Sequence, residues 1–412
     1  LFLRLNKRYL AEDIFIQHLA ELTPSQRTWK AFKRNKIAVA GLIFIFLSVL
    51  IAILGYLVMP DHTPFANNMT IQLSIKKPGA AFTMLRIRKS QPVDTVNIFT
   101  RMLFGQPAFY KDVPIMGYHF GKDSIYVDEY IGEEDKPEKK AYSLFEVVTG
   151  KKQLSILIKD HTAESVWMNY KEAKNEILVQ QTIKRTFWLG TDVYGRDLLS
   201  RLILGARVSL AVGFMSVIIS LLVGVTIGSI AGYFGGWIDA SLSWLMNILW
   251  ALPALLLVIA ISFALGKGLW QIFIAVGLSM WVEVARLVRG QVLGLKHVEF
   301  IEAARSMGFN NARIIRRHIL PNIIGPILVL ASSNFASAIL LEAGLSFLGF
   351  GAQPPMPTWG SMIKEHYGYI IMNSAYLAIL PGLAIMLMVY AFNLVTVGLR
   401  DAFDIKSQST RI

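Results

Sequence analysis

Residues 37–60 read IAVAGLIFIFLSVLIAILGYLVMP, 24 consecutive positions without Asp, Glu, Lys or Arg between Lys36 and Asp61. A helix rises about 1.5 Å per residue, so crossing a hydrocarbon core of about 30 Å takes roughly 20 apolar residues. Four further charge-free runs reach that length. They hold 31 residues between Arg207 and Asp239, 27 between Asp239 and Lys267, 24 between Arg317 and Glu342, and 34 between Glu365 and Arg400. A sixth run, residues 268–282, is only 15 long. If Glu283 faces a protein interior, this helix continues to about residue 287. The expectation is six spans, with the fourth the shortest. Gly224, Gly228, Pro253, Gly277, Gly325 and Pro326 fall inside them, which membrane helices tolerate when neighbours satisfy the freed backbone groups.

Composition agrees. The 412 residues are 54% hydrophobic and 17% charged, against about 45–50% and about 25% for a soluble domain. That excludes an ordinary soluble enzyme and a disordered chain. Cysteine is absent, which removes disulfides, thiolate metal sites and a Cys nucleophile. Residues 1–27 are too polar for a signal peptide.

The formal charge is +13, from 41 Lys+Arg against 28 Asp+Glu, and its placement is topological. The first tail carries Arg4, Lys7, Arg8, Arg27, Lys30, Lys33, Arg34 and Lys36. The connection after span four carries Arg286, Arg289, Lys296, Arg305, Arg313, Arg316 and Arg317, and the last tail Arg400, Lys406 and Arg411. With six spans all three fall on one side, the cytoplasmic side by the positive-inside rule. Losing the fourth span would move the basic connection outside. Arg196, Arg201 and Arg207 strain the rule, partly offset by Asp192 and Asp197. No basic face interleaved with aromatics exists for nucleic acid.

Residues 60–187 form a polar block outside the membrane, with 18 Lys+Arg and 15 Asp+Glu. Apolar–polar alternation predicts strands over 70–75, 82–88, 124–130 and 154–159. Residues 77–79 predict a turn, and 150–152 a second one after 144–148. Residues 167–181 read as a helix. The block is expected to be a small α+β or mostly β domain. Its acidic stretch, Asp128, Glu129, Glu133, Glu134 and Asp135, lacks the spacing of a calcium loop. His62, His119 and His161 are scattered singly, so no metal site is expected.

The connection after span four reads Val298-Glu299-Phe300-Ile301-Glu302-Ala303-Ala304-Arg305-Ser306-Met307-Gly308-Phe309. A short helix over 299–307 would put Phe300, Ala303, Ala304 and Met307 on one face, and Gly308 suits the left-handed position that ends a helix. A second helix over 312–320 would run towards span five, with Pro321 in the turn that redirects the chain into the membrane. From pattern alone, a basic interfacial helix explains the segment as well as a mechanical connector does.

Glu302-Ala303-Ala304, then Gly308, then Leu320-Pro321 resembles the EAA loop of ABC importer permeases. His318 stands where that pattern usually has an apolar residue. Two further stretches resemble the C-type subunit of dipeptide/oligopeptide (and nickel) permeases. They are Leu189-Gly190-Thr191-Asp192 with Gly195-Arg196-Asp197 and Gly205-Ala206-Arg207, and Glu342-Ala343-Gly344-Leu345-Ser346 with Gly349, Gly351, Pro354-Pro355 and Trp359-Gly360. The entry to span one, around Trp29 and Arg34-Asn35-Lys36, is similar too. The block after span one is unusually long for that family.

The resemblance implies an all-α polytopic membrane protein with six transmembrane helices of the type I ABC importer permease fold, plus the extracytoplasmic insert. The corresponding division is a cytoplasmic tail 1–36, first span 37–59, insert 60–187, core with five spans and the coupling loop 188–404, and tail 405–412. It implies a subunit that is not an enzyme, lies in the inner membrane of a prokaryote, and has both termini cytoplasmic. The loop would couple to ATPase subunits through Glu302, Ala303, Ala304, Arg305 and Gly308. Implied partners are a B-type permease, two ABC ATPase subunits and an extracytoplasmic substrate-binding protein. The chain itself is expected to hold no cofactor, ATP and Mg belonging to the partners. Consistent with that, Gly266-Lys267-Gly268 lacks the rest of a phosphate-binding loop.

Other readings stay open at this point. Glu342 either borders the translocation path or sits at the outer interface or a helix cap. Gly344, Gly349 and Gly351 with Pro354-Pro355 suggest a broken or re-entrant path. Trp237, Trp244, Trp270 and Trp359 read as interface anchors. Peptides and nickel complexes are both open as substrates. A membrane-anchored extracytoplasmic binding or assembly protein is the rival class. A secondary transporter would need internal repeats and acids at mid-membrane, and neither is seen.

Overall fold

The computed structural model describes residues 23–132, 136–150, 170–266 and 268–408. The predicted strand 154–159, turn 150–152, His161, most of the acidic stretch and the first basic residues lie wholly or partly outside them. The chain divides into two compact units. One holds 210–351 with the chain before 49 and after 383; the other holds 49–209 and 352–383.

Among the described residues, five helices are long and apolar enough to cross a membrane. In chain order the helices before the insert are α1 (Pro24–Arg34) and α2 (Lys36–Val58). Those of the insert are α3 (Ile98–Phe104), α4 (Leu144–Thr149) and α5 (Tyr170–Glu176). Then come α6 (Leu198–Phe234), α7 (Gly236–Ala251), α8 (Ala254–Leu265), α9 (Leu269–Leu295), α10 (Glu299–Ser306) and α11 (Asn311–Ile314). The last are α12 (Leu320–Leu348), α13 (Trp359–His366) and α14 (Tyr376–Gln408).

The expected third span is not one straight helix. α7 and α8 meet at 98°, at Leu252-Pro253, where proline supplies no backbone N–H and pushes the residue before it out of the helical region. The short fourth run is instead a continuous 27-residue helix, α9, which carries Glu283, Arg286 and Arg289 within it. Pro321 makes no turn: five π-helical residues, Ile315–Ile319, join α11 directly to α12. Gly344 lies inside unbroken α12, and Gly349, at φ +93°, ends it.

In the first unit, α6 approaches α9 through Gly224, Gly228 and Gly232, one residue per turn. A Cβ on Gly224 would lie 2.5 Å from Val284 Cβ, one on Gly228 2.4 Å from the Ala285 carbonyl oxygen, and one on Gly232 2.9 Å from that of Arg289. Small residues at this spacing let two helix backbones touch, which in lipid replaces the missing hydrophobic drive. Gly228→Leu is expected to push α6 off α9 at a cost of about 1–3 kcal/mol or more. A lower thermal midpoint of the purified protein is the readout; an unchanged midpoint would contradict the close packing.

Among the described residues of the second unit, five antiparallel strands run in the order β4-β3-β2-β1-β5. They are β1 (Ala80–Arg88), β2 (Tyr110–Phe120), β3 (Ser124–Glu129), β4 (Glu138–Ser143) and β5 (Thr182–Phe187). Alternation in β1 sends Leu85 and Ile87 to one face, against Val113, Ile115, Ile125 and Val127, with α4 and α5 covering them through Leu144, Val147 and Ala173. Met84 points the other way and packs with Leu73, Tyr130 and Phe187. One predicted strand is corrected, and the stretch before the second predicted turn is a helix. Residues 70–75 contain a 3-10 turn, Ile71–Leu73, and 144–148 belong to α4, started at Ser143 and ended by Gly150 at φ +78°. Residues 77–79 turn into β1 rather than joining two strands.

Candidate functional site

α10 begins after Val298 and carries Glu299 and Glu302 in its first turn and Arg305 in its last, charges that oppose the helix dipole at each end. Ile301 and Ala304 are buried, in one cluster with Tyr233, Val284, Val288, Val292, Ile314 and Ile319. The helix is therefore fixed by two side chains to the core built from α6, α9 and the α11–α12 entry. The predicted face is split. Ala304 turns inward, whereas Phe300 is 43% and Met307 65% exposed, and Glu302, Ala303, Arg305 and Gly308 are exposed with them. Helical spacing alone could not separate Ala304 from its neighbours, because Ile301 rather than Phe300 sets the inward direction.

Gly308 has φ +77°. Its amide donates to the Arg305 carbonyl at 3.0 Å, and the Phe309 amide to that of Ala304 at 3.2 Å. Phe309 stacks on His318 with ring centroids 5.8 Å apart, and the Arg313 guanidinium lies 4.2 Å from the Phe309 ring. His318 thus replaces the usual apolar residue by an aromatic contact, while Ile319 stays buried. Asn310 caps α11 by accepting from the Arg313 amide at 2.8 Å. The Tyr233 hydroxyl donates to Asn311 Oδ1 at 2.9 Å.

Two residues first assigned to the basic loop sit on α9 and bind α7. Arg289 donates to both carboxylate oxygens of Asp239, at 2.5 and 2.7 Å. Arg286 donates to Asn247 at 2.6 Å and lies 3.5 Å from the Trp250 ring centroid. Residues 39 and 50 positions apart leave no local signature of such a pairing.

Glu342 is fully buried within α12, accepting from the Ser346 hydroxyl at 2.7 Å. It neither ends the helix nor reaches an interface. Trp237, Trp244 and Trp270 are exposed, but Trp359 is 3% exposed and its indole N–H donates to the Leu202 carbonyl at 3.0 Å; it is a buried strut rather than an interface anchor.

The second unit holds a buried ion network that the sequence did not foretell. The turn 190–197 closes as a bridge between Thr191 and Asp197. Asp192 accepts from the Tyr194 and Arg196 amides, both at 2.9 Å. Its other oxygen faces Arg196 Nε at 2.5 Å and Arg201 Nε at 3.5 Å. Glu365 completes the group, 2.9 Å from Arg196 and 3.6 Å from Arg201. Asp197 caps the start of α6 by accepting from the Ser200 amide at 2.8 Å and from its hydroxyl. Burial pushes the Asp197 carboxyl up, against the Ser200 hydrogen bonds that pull it down. Burial likewise pushes His366 down.

Asp192, Glu365 and His366 bring ligand atoms within 4.8 Å of one another, a spacing that can suit a cation. The charge balance opposes it. Two guanidiniums already neutralise the two carboxylates, and a divalent ion would have to displace them. The group is an ion-pair network.

Residues 23–76 match the family described as the N-terminal TM domain of oligopeptide transport permease C, and residues 224–407 the binding-protein-dependent transport system inner membrane component. The chain is 46% identical over 222 residues to the glutathione transport system permease protein GsiD of Pectobacterium atrosepticum, covering 54% of this chain and 73% of that one. The chain belongs to this permease family.

The same identity and coverage relate it to the dipeptide transport system permease protein DppC of Alkalihalophilus pseudofirmus. Among solved structures, the MetNI methionine ABC transporter aligns with 49% of this chain and 97% of that one, at 21% identity and a TM-score of 0.40. As a C-type permease of an ABC importer, the chain is a multi-pass membrane subunit and not an enzyme; ATP hydrolysis belongs to partner subunits. Family membership also answers the rival reading of a membrane-anchored binding or assembly protein.

Proposed function

We propose that this permease subunit passes di- or oligopeptides across the inner membrane of a prokaryote and takes its driving force from ATPases that grip α10. The observation that carries the reading is the division of α10. Ile301 and Ala304 lock it to the helix core, while Glu302, Ala303, Arg305 and Gly308 form an outer surface at its far side. A force applied to that surface is transmitted to α9 and α12 without a flexible joint. The relatives named for dipeptide and glutathione transport support peptides as the substrate class. A nickel complex is the alternative within the same family.

Counting the bent pair of α7 and α8 as one span gives six. Both termini and α10 then lie on the cytoplasmic side, with residues 60–187 outside. A B-type permease would complete the pathway, two ABC ATPase subunits would meet the α10 surfaces, and a substrate-binding protein would deliver cargo from outside. Nucleotide and Mg would reside on the ATPases. Glu342, buried with Ser346, is assigned to the helix packing that borders the pathway.

Purification in mild detergent is expected to bring down a second permease and ATPase subunits. Vesicles holding the assembly should take up labelled di- or tripeptide in an ATP-dependent manner when the binding protein is supplied. Uptake of nickel but not peptide would overturn the substrate class; a chain that purifies without any ATPase would overturn the coupling.

A further inference from the structure

α3, between β1 and β2, has the sequence Ile98-Phe99-Thr100-Arg101-Met102-Leu103-Phe104, and none of its residues is buried. Ile98 is 65%, Phe99 72%, Leu103 46% and Phe104 68% exposed. A free peptide helix of seven residues has no stability of its own, and this one is held by its neighbours. Asn97 caps it by accepting from the Thr100 amide at 2.8 Å. Gly105 ends it at φ +82°, where a Cβ would lie 2.8 Å from the His62 carbonyl oxygen and 2.9 Å from the Tyr56 ring. The Gln106 amide donates to the same His62 carbonyl at 2.8 Å. Arg207 on α6 donates to the Met102 carbonyl at 3.2 Å.

These straps fix the height of α3 along the membrane normal. Tyr56 lies three residues before Met59, close to the outer end of the charge-free run of α2, and Arg207 is the last charge before the charge-free run of α6 begins. α3 is therefore tied where the hydrocarbon stops. The neighbouring surface of α2 is already apolar and exposed, with Ile53 at 49% and Val58 at 60%. At about 100° per residue, Arg101 falls opposite the arc shared by Phe99 and Leu103, with Ile98 and Phe104 about 60° to either side of it. Arg101 also lines a cleft of about 590 Å³ with Lys184, Trp188, Asp61 and Asp112, the last paired with Arg86 and Arg185, and Trp188 is 67% exposed. An apolar arc, a basic opposite side and an exposed Trp at one level is the composition of an element lying in a lipid headgroup layer.

We propose that α3 is a membrane-interface foot: Phe99 and Leu103 enter the outer part of the acyl region, Arg101 faces the phosphates, and Phe104 lies along the headgroup layer between them, so that the insert is pinned to the lipid surface beside α2 and α6. The occupant is lipid because the exposed apolar arc continues the lipid-facing surface of α2. The proposal rests on insertion of α2 and α6 in the membrane, which it shares with the reading above, and not on the substrate.

The chain has no cysteine, so single cysteines report cleanly. Phe99→Cys, Phe104→Cys and, as control, Tyr126→Cys on β3 are labelled with bimane. They are studied in the transporter assembled with cysteine-free partners, in phosphatidylethanolamine/phosphatidylglycerol vesicles brominated near the headgroup. Lipid quenching at positions 99 and 104 is expected to exceed that at 126 by about threefold or more. Quenching equal to that at 126, accompanied by strong iodide quenching, would mean these residues face water and would overturn the proposal. Protection from both quenchers would mean a protein covers them and would overturn it equally. Neither measurement depends on peptide uptake, so a failed substrate assignment leaves the result readable.

Discussion

Asp192→Asn is expected to deplete the protein from the membrane. The amide keeps the shape and can still accept from the Tyr194 and Arg196 amides, as Asp192 Oδ1 does now. What it loses is the charge that faces Arg196 at 2.5 Å and Arg201 at 3.5 Å. Both guanidiniums are nearly sealed from solvent, at 4% and 1% exposure. Arg201 is the more vulnerable, since its Nε and Nη1 have no hydrogen-bond acceptor among the described residues. Glu365, 23% exposed, would remain as the only carboxylate ion-paired with the two cations among the described residues. Removing one partner of a buried pair costs about 3–5 kcal/mol, because the remaining charge is left uncompensated, and that is a large part of the about 5–15 kcal/mol that holds a typical domain together.

The effect should be readable as a fall in steady-state level and in the thermal midpoint in detergent. The double variant Asp192→Asn with Arg201→Met tests the cause. Removing the orphaned cation as well should recover part of the loss, so the double variant should be more stable than the sum of the two single changes. Wild-type level and midpoint in Asp192→Asn would show that the network does not hold the unit together.

The apolar helices and the short helix α10 ending at Gly308 were legible because their signals are local. A run without charge, or Glu302-Ala303-Ala304 followed by Gly308, can be read from adjacent residues. The errors fall where distant parts of the chain decide the outcome. α9 continues through Glu283, Arg286 and Arg289 because α7 supplies Asp239 and Asn247 to receive the two arginines; a charge count along one segment ends the helix too early. Pro253 broke the third span within a run that hydropathy alone reads as continuous. In the insert, residues 70–75 alternate as a strand does, yet Thr70 is held against Gly195, whose Cβ would clash with the Thr70 carbonyl, and the segment turns instead. β2 and β5 became strands by pairing with β1 across 22 or more residues of register separation, Arg88 to Tyr110 being the nearest pair and Leu85 to Thr182 far more distant. Of the arginines that strain the positive-inside rule, Arg196 and Arg201 are accounted for by Asp192 and by Glu365, more than 160 residues away, while Arg207 donates to the Met102 carbonyl instead.

Gly308→Trp is expected to abolish uptake while leaving the permease in the membrane. Gly308 follows α10 at φ +77°, and nothing lies within 4 Å of where its Cβ would be. A Cβ there therefore meets no atom of this subunit among the described residues. The cost to the fold is confined to holding an L-residue in the left-handed region, about 1–2 kcal/mol, which the core around Ile301 and Ala304 can absorb. The indole instead projects from the exposed end of α10, beside Glu302, Ala303 and Arg305, where the proposed ATPase must approach.

An interface packed to protein density does not accommodate a side chain of that volume without moving apart. A loss of uptake of about 100-fold or more follows, which corresponds to about 2.8 kcal/mol at 1.4 kcal/mol per decade. Gly308→Ala separates the two causes, since it carries the same backbone strain with a single methyl group. It should retain uptake within about threefold of wild type if strain is as small as about 1–2 kcal/mol and does not shift α10. Loss of uptake in both variants would trace the defect to the backbone turn. Normal uptake in Gly308→Trp, at normal membrane level, would mean that no subunit closes on this end of α10, and the coupling role of Glu302, Ala303, Arg305 and Gly308 would have to be abandoned.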